Sequence, residues 1–377
     1  MSLGWFITLL VLFVLIQSFI YQKWGLTNIQ YTRSFSERTV FEGEQVEMID
    51  QITNMKILPV PWVRLDSKIN RHLLFPHRIE SHGEEENELF HHTLFSLIPY
   101  QKVTRRHKVI CGKRGYYRLN TVSISTGDAF GFGENFQLVP ALTDITVYPA
   151  FIPIDQVPLP SHSWLGEIVV RRWIIEDPFV HAGVREFSQG DSINSINWKV
   201  TARTNHLQVN KKDYTADHHL MIYLNFDETE DIWLPIEDEK LFERGLSYAA
   251  SICQYAISQG ISTGFGCNSY LVEPFGGTEK IKDSVRINPK SNASQLTLIL
   301  DTMAKLKMAR SRNFNYFLKE DIDMKMENTD ILLITTIMTE QMQINIRQLE
   351  MLGNSVEILW LQKNQSTYTT SGEQNVI

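Results

Sequence analysis

The run Leu220-Met221-Ile222-Tyr223-Leu224-Asn225-Phe226, followed by Phe242, Leu246, Ala249, Cys253 and Ala256 at helical spacing, decides the fold class. A short, almost uninterrupted apolar run reads as a strand buried on both faces, and the spaced stripe after it reads as an amphipathic helix. Strand then helix opens a βαβ unit. Gly260 suits the position just past a helix end, and residues 261–267 read as the next strand. Asn292 with Gln295 resembles a capping box that opens a helix through Leu296, Leu300, Met303 and Leu306. Residues 331–337 read as a strand. Met342, Ile346 and Leu349 then form a helical stripe stopped by Gly353, and residues 356–361 make a last strand. Alternation of this kind predicts a parallel sheet with helices on both faces over 219–362. The polar tail 363–377, rich in Gln, Ser and Thr, predicts disorder.

Upstream, the period changes. From 26 to 150 the pattern is period two in short runs, as in Gln45-Val46-Glu47-Met48 and Thr121-Val122-Ser123-Ile124-Ser125. Gly43, Pro59, Gly115 and Gly127 punctuate these runs with turn chemistry, so antiparallel strands closing into a β-sandwich-like domain are expected. Three prolines in 151–160 mark a connection, and 151–218 reads as a linker carrying a dense polar motif.

The N-terminus is the most polarised part of the chain. Residues 3–21, opening at Leu3 and closing on Tyr21, carry no formal charge. At 1.5 Å per residue they reach across a hydrocarbon core of about 30 Å. Trp5, Tyr21 and Trp24 fall where aromatic rings favour headgroups. A transmembrane anchor over 1–25 in contact with the lipid bilayer is the expectation, with a cleaved signal peptide as the alternative. Lys23, Arg33 and Arg38 follow the helix and no Lys or Arg precedes it. The positive-inside rule therefore predicts a single-pass protein of a bacterial cell membrane with its bulk in the cytoplasm. Three cysteines far apart, Cys111, Cys253 and Cys267, fit no disulfide framework and no zinc spacing. A net charge of -7 with only short basic runs argues against nucleic acid as a partner.

The densest polar constellation is Gly183, Arg185, Glu186, Phe187, Gly190 and Asp191, continuing through Asn194, Ile196, Trp198, Ala202 and Arg203. In this order and spacing it resembles the bacterial family known as domain of unknown function 58. Phe187, Asn194 and Thr201 stand where that pattern carries Tyr, Arg and Ser. Arg114-Gly115-Tyr116-Tyr117 and the run from Gly127 to Gly131 resemble elements preceding the motif in family members. The resemblance implies N-terminal membrane helices, a β-rich segment and a C-terminal von Willebrand A-like, Rossmann-type α/β domain. It also implies a MoxR-type AAA+ ATPase as partner. Read from the residues alone, Arg185, Glu186, Asp191 and Arg203 bring both charge signs around Trp198. They can pair beside a buried aromatic as a structural knot, form a docking surface, or make up a catalytic site.

A metal-binding von Willebrand A domain carries D-x-S-x-S after its first strand. Here Asp227, Glu228, Thr229, Glu230 and Asp231 occupy that place, with Asp231 for the last Ser. Asp227, Thr229 and Asp231 are thus the candidate ligands for weak Mg²⁺, set against a plain acidic loop. Gly260-Ile261-Ser262-Thr263-Gly264 matches G-x-S-x-G but lies between a helix and a strand, the reverse of a nucleophile elbow. His91-His92 and His218-His219 are adjacent pairs, whose side chains on a strand face opposite ways and cannot share a metal. No H-E-x-x-H or G-x-x-x-x-G-K-[ST] occurs. The sequence therefore predicts a membrane-anchored, non-catalytic scaffold or adaptor working with the ATPase in assembly or envelope processes, without a required cofactor. The alternative is a metal-dependent hydrolase using the acidic loop.

Overall fold

The structure, a computed structural model, describes residues 3–76, 88–128, 134–160, 181–188, 196–212, 219–229, 235–271 and 282–362. The chain divides into two compact units, Met1–Ala150 and Phe151–Ile377.

In the first unit α1 (Leu3–Trp24) leads into nine strands. They are β1 (Ile29–Phe35), β2 (Thr39–Phe41), β3 (Gln45–Asn54), β4 (Val60–Asn70), β5 (Leu73–Leu74), β6 (Glu88–Leu97), β7 (Lys102–Cys111), β8 (Gly115–Gly127) and β9 (Glu134–Tyr148). They form a four-stranded sheet ordered β1-β3-β7-β5 and a five-stranded sheet ordered β2-β9-β8-β4-β6. Alternation decides which face is buried. On β3, Val46, Met48, Asp50, Ile52 and Asn54 point inward while the residues between them are half-covered or exposed. Val46, Met48, Val109 and Cys111 of one sheet share a core cluster with Ile69, Tyr117, Leu119, Ile145 and Val147 of the other, so the sheets pack face to face.

All but one of the strand pairings are antiparallel; β2 runs parallel to β9. The alternating strand directions bring the end of β3, the start of β4, the end of β6, the start of β7, the end of β8 and the start of β9 to one end of the unit. That is the end where α1 joins: the Gly25 N–H donates to the Tyr21 carbonyl at 2.7 Å, and a Cβ on Gly25 would lie 3.1 Å from the Thr126 methyl. α1 is long and apolar enough to cross a membrane.

The second unit opens with a 3-10 turn at Ile154–Gln156, then β10 (His181–Glu186), the short helix α2 (Trp198–Thr204) and β11 (Gln208–Lys212), which pairs antiparallel with β10. The α/β part follows: β12 (His219–Leu224), α3 (Glu239–Ser258), β13 (Ser262–Cys267), β14 (Val285–Lys290), α4 (Ala293–Lys305), α5 (Phe314–Asp323), β15 (Thr329–Thr335), α6 (Glu340–Met351) and β16 (Ser355–Trp360). Its sheet is ordered β14-β13-β12-β15-β16, parallel except for the antiparallel edge strand β14.

Met221 and Tyr223 on β12, with Ile331 and Leu333 on β15, pack against Phe314, Phe317, Met342, Ile346 and Leu349 of α5 and α6. On the other face Gly245 of α3 lets that helix lie against Leu224, where a Cβ would come within 3.0 Å of the leucine methyl. The helices are stopped by local chemistry. Thr339 caps α6 through the Met342 N–H, and Gly260 and Gly353 adopt φ +75° and +90° beyond α3 and α6, a region open to glycine. Asn292 precedes α4 without a side-chain cap bond; Gln295 instead donates to the Thr263 and Asn288 carbonyls, tying the helix to the sheet rather than closing a capping box.

Candidate functional site

The signature segment forms a small antiparallel arrangement. Gly183 pairs with Lys211, Arg185 with Val209 and Glu186 with Gln208. The Phe187 N–H continues the ladder to the Leu207 carbonyl at 2.9 Å. On the other edge of β11, Ile196 bridges to Val209 and the Asn197 N–H reaches the Gln208 carbonyl at 2.7 Å. Asn197 caps α2 by accepting from the Val200 N–H at 3.1 Å, and Asn205 ends it in the left-handed region at φ 60°. Extending the β10–β11 register by one residue sets Phe187 opposite Leu207, while Trp198 opens α2 directly after Asn197, the residue bonded to Gln208.

All three are open to solvent, at 36%, 45% and 63% exposure. The aromatic expected to be buried is exposed: Trp198 opens a two-turn helix with none of its residues buried. Arg185 is exposed and donates to the Glu186 carbonyl at 3.1 Å, and Arg203 is exposed in the last turn of α2. Gly190 and Asp191 lie outside the described residues, as does Asp231.

Asp227 stands just past the C-terminal end of β12, beside β15, where the strand order reverses and α/β sheets open a crevice. It is 2% exposed. Its Oδ1 accepts from Asn268 Nδ2 at 2.8 Å and its Oδ2 from the Phe314 N–H at the start of α5 at 2.9 Å. Asn268 is fixed in turn, accepting from the Phe226 N–H at 2.8 Å and donating to the Arg312 carbonyl at 3.0 Å. The Thr336 hydroxyl donates to the Asp227 carbonyl at 2.8 Å. Burial pushes the Asp227 carboxyl above the usual range, while the Phe314 N–H and Asn268 pull it back.

Each Asp227 oxygen already accepts from an N–H donor, which fixes the carboxylate in place and takes up part of its acceptor capacity. Thr229, the hydroxyl expected to join it, is exposed, and Glu228 accepts from the Glu237 and Asp238 N–H groups. Among the described residues, Asp227 is engaged with protein donors and Thr229 lies on the surface, so these two do not by themselves form a hydroxyl and carboxylate cage. Asp227 acts as a pin between β12, β13 and α5.

Residues 183–331 match the family model described as "Protein of unknown function DUF58". This region belongs to the DUF58 family. The match begins in the signature arrangement and ends inside β15, so Arg185, Trp198, Arg203 and Asp227 all lie within the DUF58 segment. None of the curated protein sequences matches the chain significantly. Solved structures similar to parts of it include the CARDB domain of the PF1109 protein from Pyrococcus furiosus, at 16% identity over 32% of this chain and 93% of that one, with a TM-score of 0.21. A non-cellulosomal cohesin from Archaeoglobus fulgidus matches at 13% identity, 31% and 91% coverage and a TM-score of 0.22. The sporulation control protein Spo0M from Bacillus subtilis matches at 10%, 43% and 59%, with 0.18. Likenesses at this level carry no functional argument.

Outside the DUF58 segment the first unit holds a polar cluster that no sequence motif announces. Asp50 of β3, His91 of β6 and His107 of β7 place their ligand-capable atoms within 4.8 Å of one another. The His91 and His107 rings meet edge to face at 4.8 Å, and Phe75 stacks on His91 at 4.6 Å. The Tyr31 hydroxyl donates to Asp50 Oδ1 at 2.6 Å, and Arg33 Nε does so at 2.7 Å. Burial pushes His91 down to about 4, helped by the repulsion that a proton on His91 would meet from a proton on His107 and from the Arg33 guanidinium, and burial lowers His107 as well.

Two imidazoles and a carboxylate resemble a metal-binding triad. Arg33 already neutralises Asp50, however, so a dication there would sit beside a buried guanidinium. The cluster instead stands as a charge-balanced pair with two neutral imidazoles.

His91 and His92 do face opposite ways: His92 reaches Asp66 Oδ1 at 2.6 Å on the exposed side. What pair-wise reasoning missed is that His91 finds its partners across the two sheets. The available signal was Asp50, a carboxylate in the buried register of an otherwise apolar alternation.

Proposed function

We propose that this protein is a membrane-anchored, non-catalytic adaptor: α1 tethers it, the bulk of the chain lies in the cytoplasm, and the DUF58 segment presents a docking surface to a protein partner. The observation that carries the reading is the exposure of Phe187, Leu207 and Trp198 in neighbouring segments of the signature arrangement, with Arg185 and Arg203 exposed in the same segments. Exposed Trp and Arg with apolar neighbours make up the composition of interface hot spots. The sheet order β14-β13-β12-β15-β16 with its antiparallel edge supports a von Willebrand A-like reading of the α/β part. Family resemblance suggests a MoxR-type AAA+ ATPase as the partner, in assembly or envelope-related work.

The hydrolase alternative would require Asp227 to abandon Asn268 and the Phe314 N–H, and no observation favours it. The test is crosslinking in intact cells from a photoreactive residue at position 198. An AAA+ ATPase adduct is expected. Adducts confined to envelope components outside the cytoplasm would overturn both the partner and the topology.

A further inference from the structure

We propose that the end of the first unit where α1 joins is seated directly on the bilayer, its loops dipping into the headgroup region, so that helix and sheets form one rigid anchor rather than a domain on a tether. This inference rests on α1 spanning the membrane. Its basis is the way the C-terminal end of α1 is finished. The last carbonyls of a helix lack intrahelical partners and carry partial negative charge. Lys56, on the turn between β3 and β4, brings its Nζ to the carbonyls of Trp24 at 2.6 Å, Gly25 at 2.5 Å and Thr27 at 2.8 Å. Lys56 is 9% exposed, so the clamp is built into the unit rather than draped over it. Asn135, at the start of β9, donates to the Gln22 carbonyl from another side.

The loops around this clamp are fixed to one another. The Met55 N–H donates to the Asn28 carbonyl at 3.0 Å, and the Asn54 N–H to the Gln101 carbonyl at 2.9 Å. Asn54 Nδ2 spans the Leu58 and Ile98 carbonyls at 3.0 and 3.1 Å. Soluble loops of this kind are ordinarily polar. These carry Met55, Ile57, Ile98 and Tyr100, which expose 50%, 77%, 62% and 70% of their surface, with Phe136 at 78% at the start of β9.

The occupant of this face follows from continuity. α1 has 22 residues, about 33 Å at 1.5 Å per residue, slightly more than a hydrocarbon core of about 30 Å. Trp24 at its end therefore falls at the interfacial level, where Trp and Tyr rings are favoured, and the loops held within hydrogen-bond reach of that end share its depth. Apolar side chains that would be a liability in water lie where acyl chains and headgroups meet.

The test uses the full-length chain reconstituted in mixed phosphatidylcholine and phosphatidylglycerol vesicles. A bimane label is placed singly through Ile57→Cys, Tyr100→Cys or Glu37→Cys. The native cysteines Cys111, Cys253 and Cys267 are buried, and Glu37 is an exposed residue at the opposite end of the strands. Brominated lipids carrying the bromines at shallow or deep positions serve as quenchers. Labels at 57 and 100 are expected to be quenched several-fold more than the label at 37, more by shallow than by deep bromines. Quenching equal to that at 37 in a protein that resists alkaline extraction would overturn the seated face while leaving the span intact. Extraction of the protein by alkali would overturn both. Labels shielded from aqueous iodide yet untouched by brominated lipid would assign the face to a second protein and likewise overturn the proposal.

Discussion

Arg33 and Asp50 stand directly opposite each other on β1 and β3, and their side chains meet at 2.7 Å with almost no solvent access to either. A buried pair contributes little net stability, but removing one partner strands the other's charge. Asp50→Ala is expected to destabilise the first unit by about 3–5 kcal/mol. The cause is that Arg33 loses its counter-charge and the Tyr31 hydroxyl its acceptor. Replacing both residues, as Arg33→Met with Asp50→Leu, should cost markedly less than Asp50→Ala alone. Urea unfolding of the detergent-solubilised chain, followed by protease susceptibility of the first unit, reads the difference.

The imidazoles beside that pair make the same unit acid-sensitive. His91 is held down to about 4 against an unfolded value of about 6.5. Between those values the unfolded chain binds the proton and the folded chain does not, so stability falls as pH drops from about 6.5 to 4. The loss attributable to His91 is on the order of 3 kcal/mol, because each tenfold weakening of proton affinity on folding is worth about 1.4 kcal/mol. His107, also lowered, adds in the same direction. His91→Gln should flatten the profile in that window. Asp321 in the second unit, raised to about 6 by burial despite Arg286, pulls the opposite way: its folded form holds the proton longer and gains stability as pH falls. Hydrogen exchange resolved by unit therefore separates the two trends.

For Asp227, structural and chemical roles make different forecasts. Asp227→Ala leaves the Phe314 N–H and one of the two Asn268 Nδ2 hydrogens without an acceptor and should destabilise the second unit by about 2–5 kcal/mol. Asp227→Asn retains one acceptor but sets an amide against a fixed donor, since Asn268 cannot flip without losing its bonds to Phe226 and Arg312. A smaller cost of about 1–3 kcal/mol is expected. Partner capture by the Asp227→Asn protein should stay within a few-fold of the wild type below its melting point. Mg²⁺ at millimolar concentration should leave the melting temperatures of wild type and variant unchanged. A magnesium-dependent rise in the wild type alone would make Asp227 a ligand after all.

What the sequence made legible follows period. The apolar run at Leu220, the stripe from Phe242 to Ala256 and the alternation around Met48 each declare an element because burial on that face repeats at 2.0 or 3.6 residues. Gly260 and Gly353 mark helix ends because their positive φ is costly for other residues. Relationships that join distant strands carry no such period. Asp50, His91 and His107 lie on three strands of two different sheets, and only folding brings them together. Lys56 belongs to the same class, since a lysine on a turn does not announce that it will close over the end of a helix about thirty residues earlier. Trp198 failed for another reason: a large aromatic within a charged motif suits a buried anchor and an exposed hot spot equally, and the choice depended on whether the local fold had anything to cover it.

That exposure gives the last forecast its shape. A residue that covers nothing costs little to remove, so Trp198→Ala should change the stability of the second unit by no more than about 0.5 kcal/mol. If the exposed set of Trp198, Phe187 and Leu207 is a docking surface, the same substitution should weaken partner capture by tenfold or more, the effect of losing about 1.4 kcal/mol or more at a hot spot. Trp198→Phe should recover part of that affinity, because the ring retains most of its apolar area. Arg203→Ala, on the exposed side of α2, is expected to slow association more than it speeds dissociation, and the effect should shrink as salt rises. Binding measured by surface plasmon resonance, alongside thermal unfolding of the same variants, separates the outcomes. A Trp198→Ala protein that unfolds more easily but binds its partner normally would place the tryptophan in packing rather than recognition, and the docking surface would then have to be sought elsewhere in the DUF58 segment.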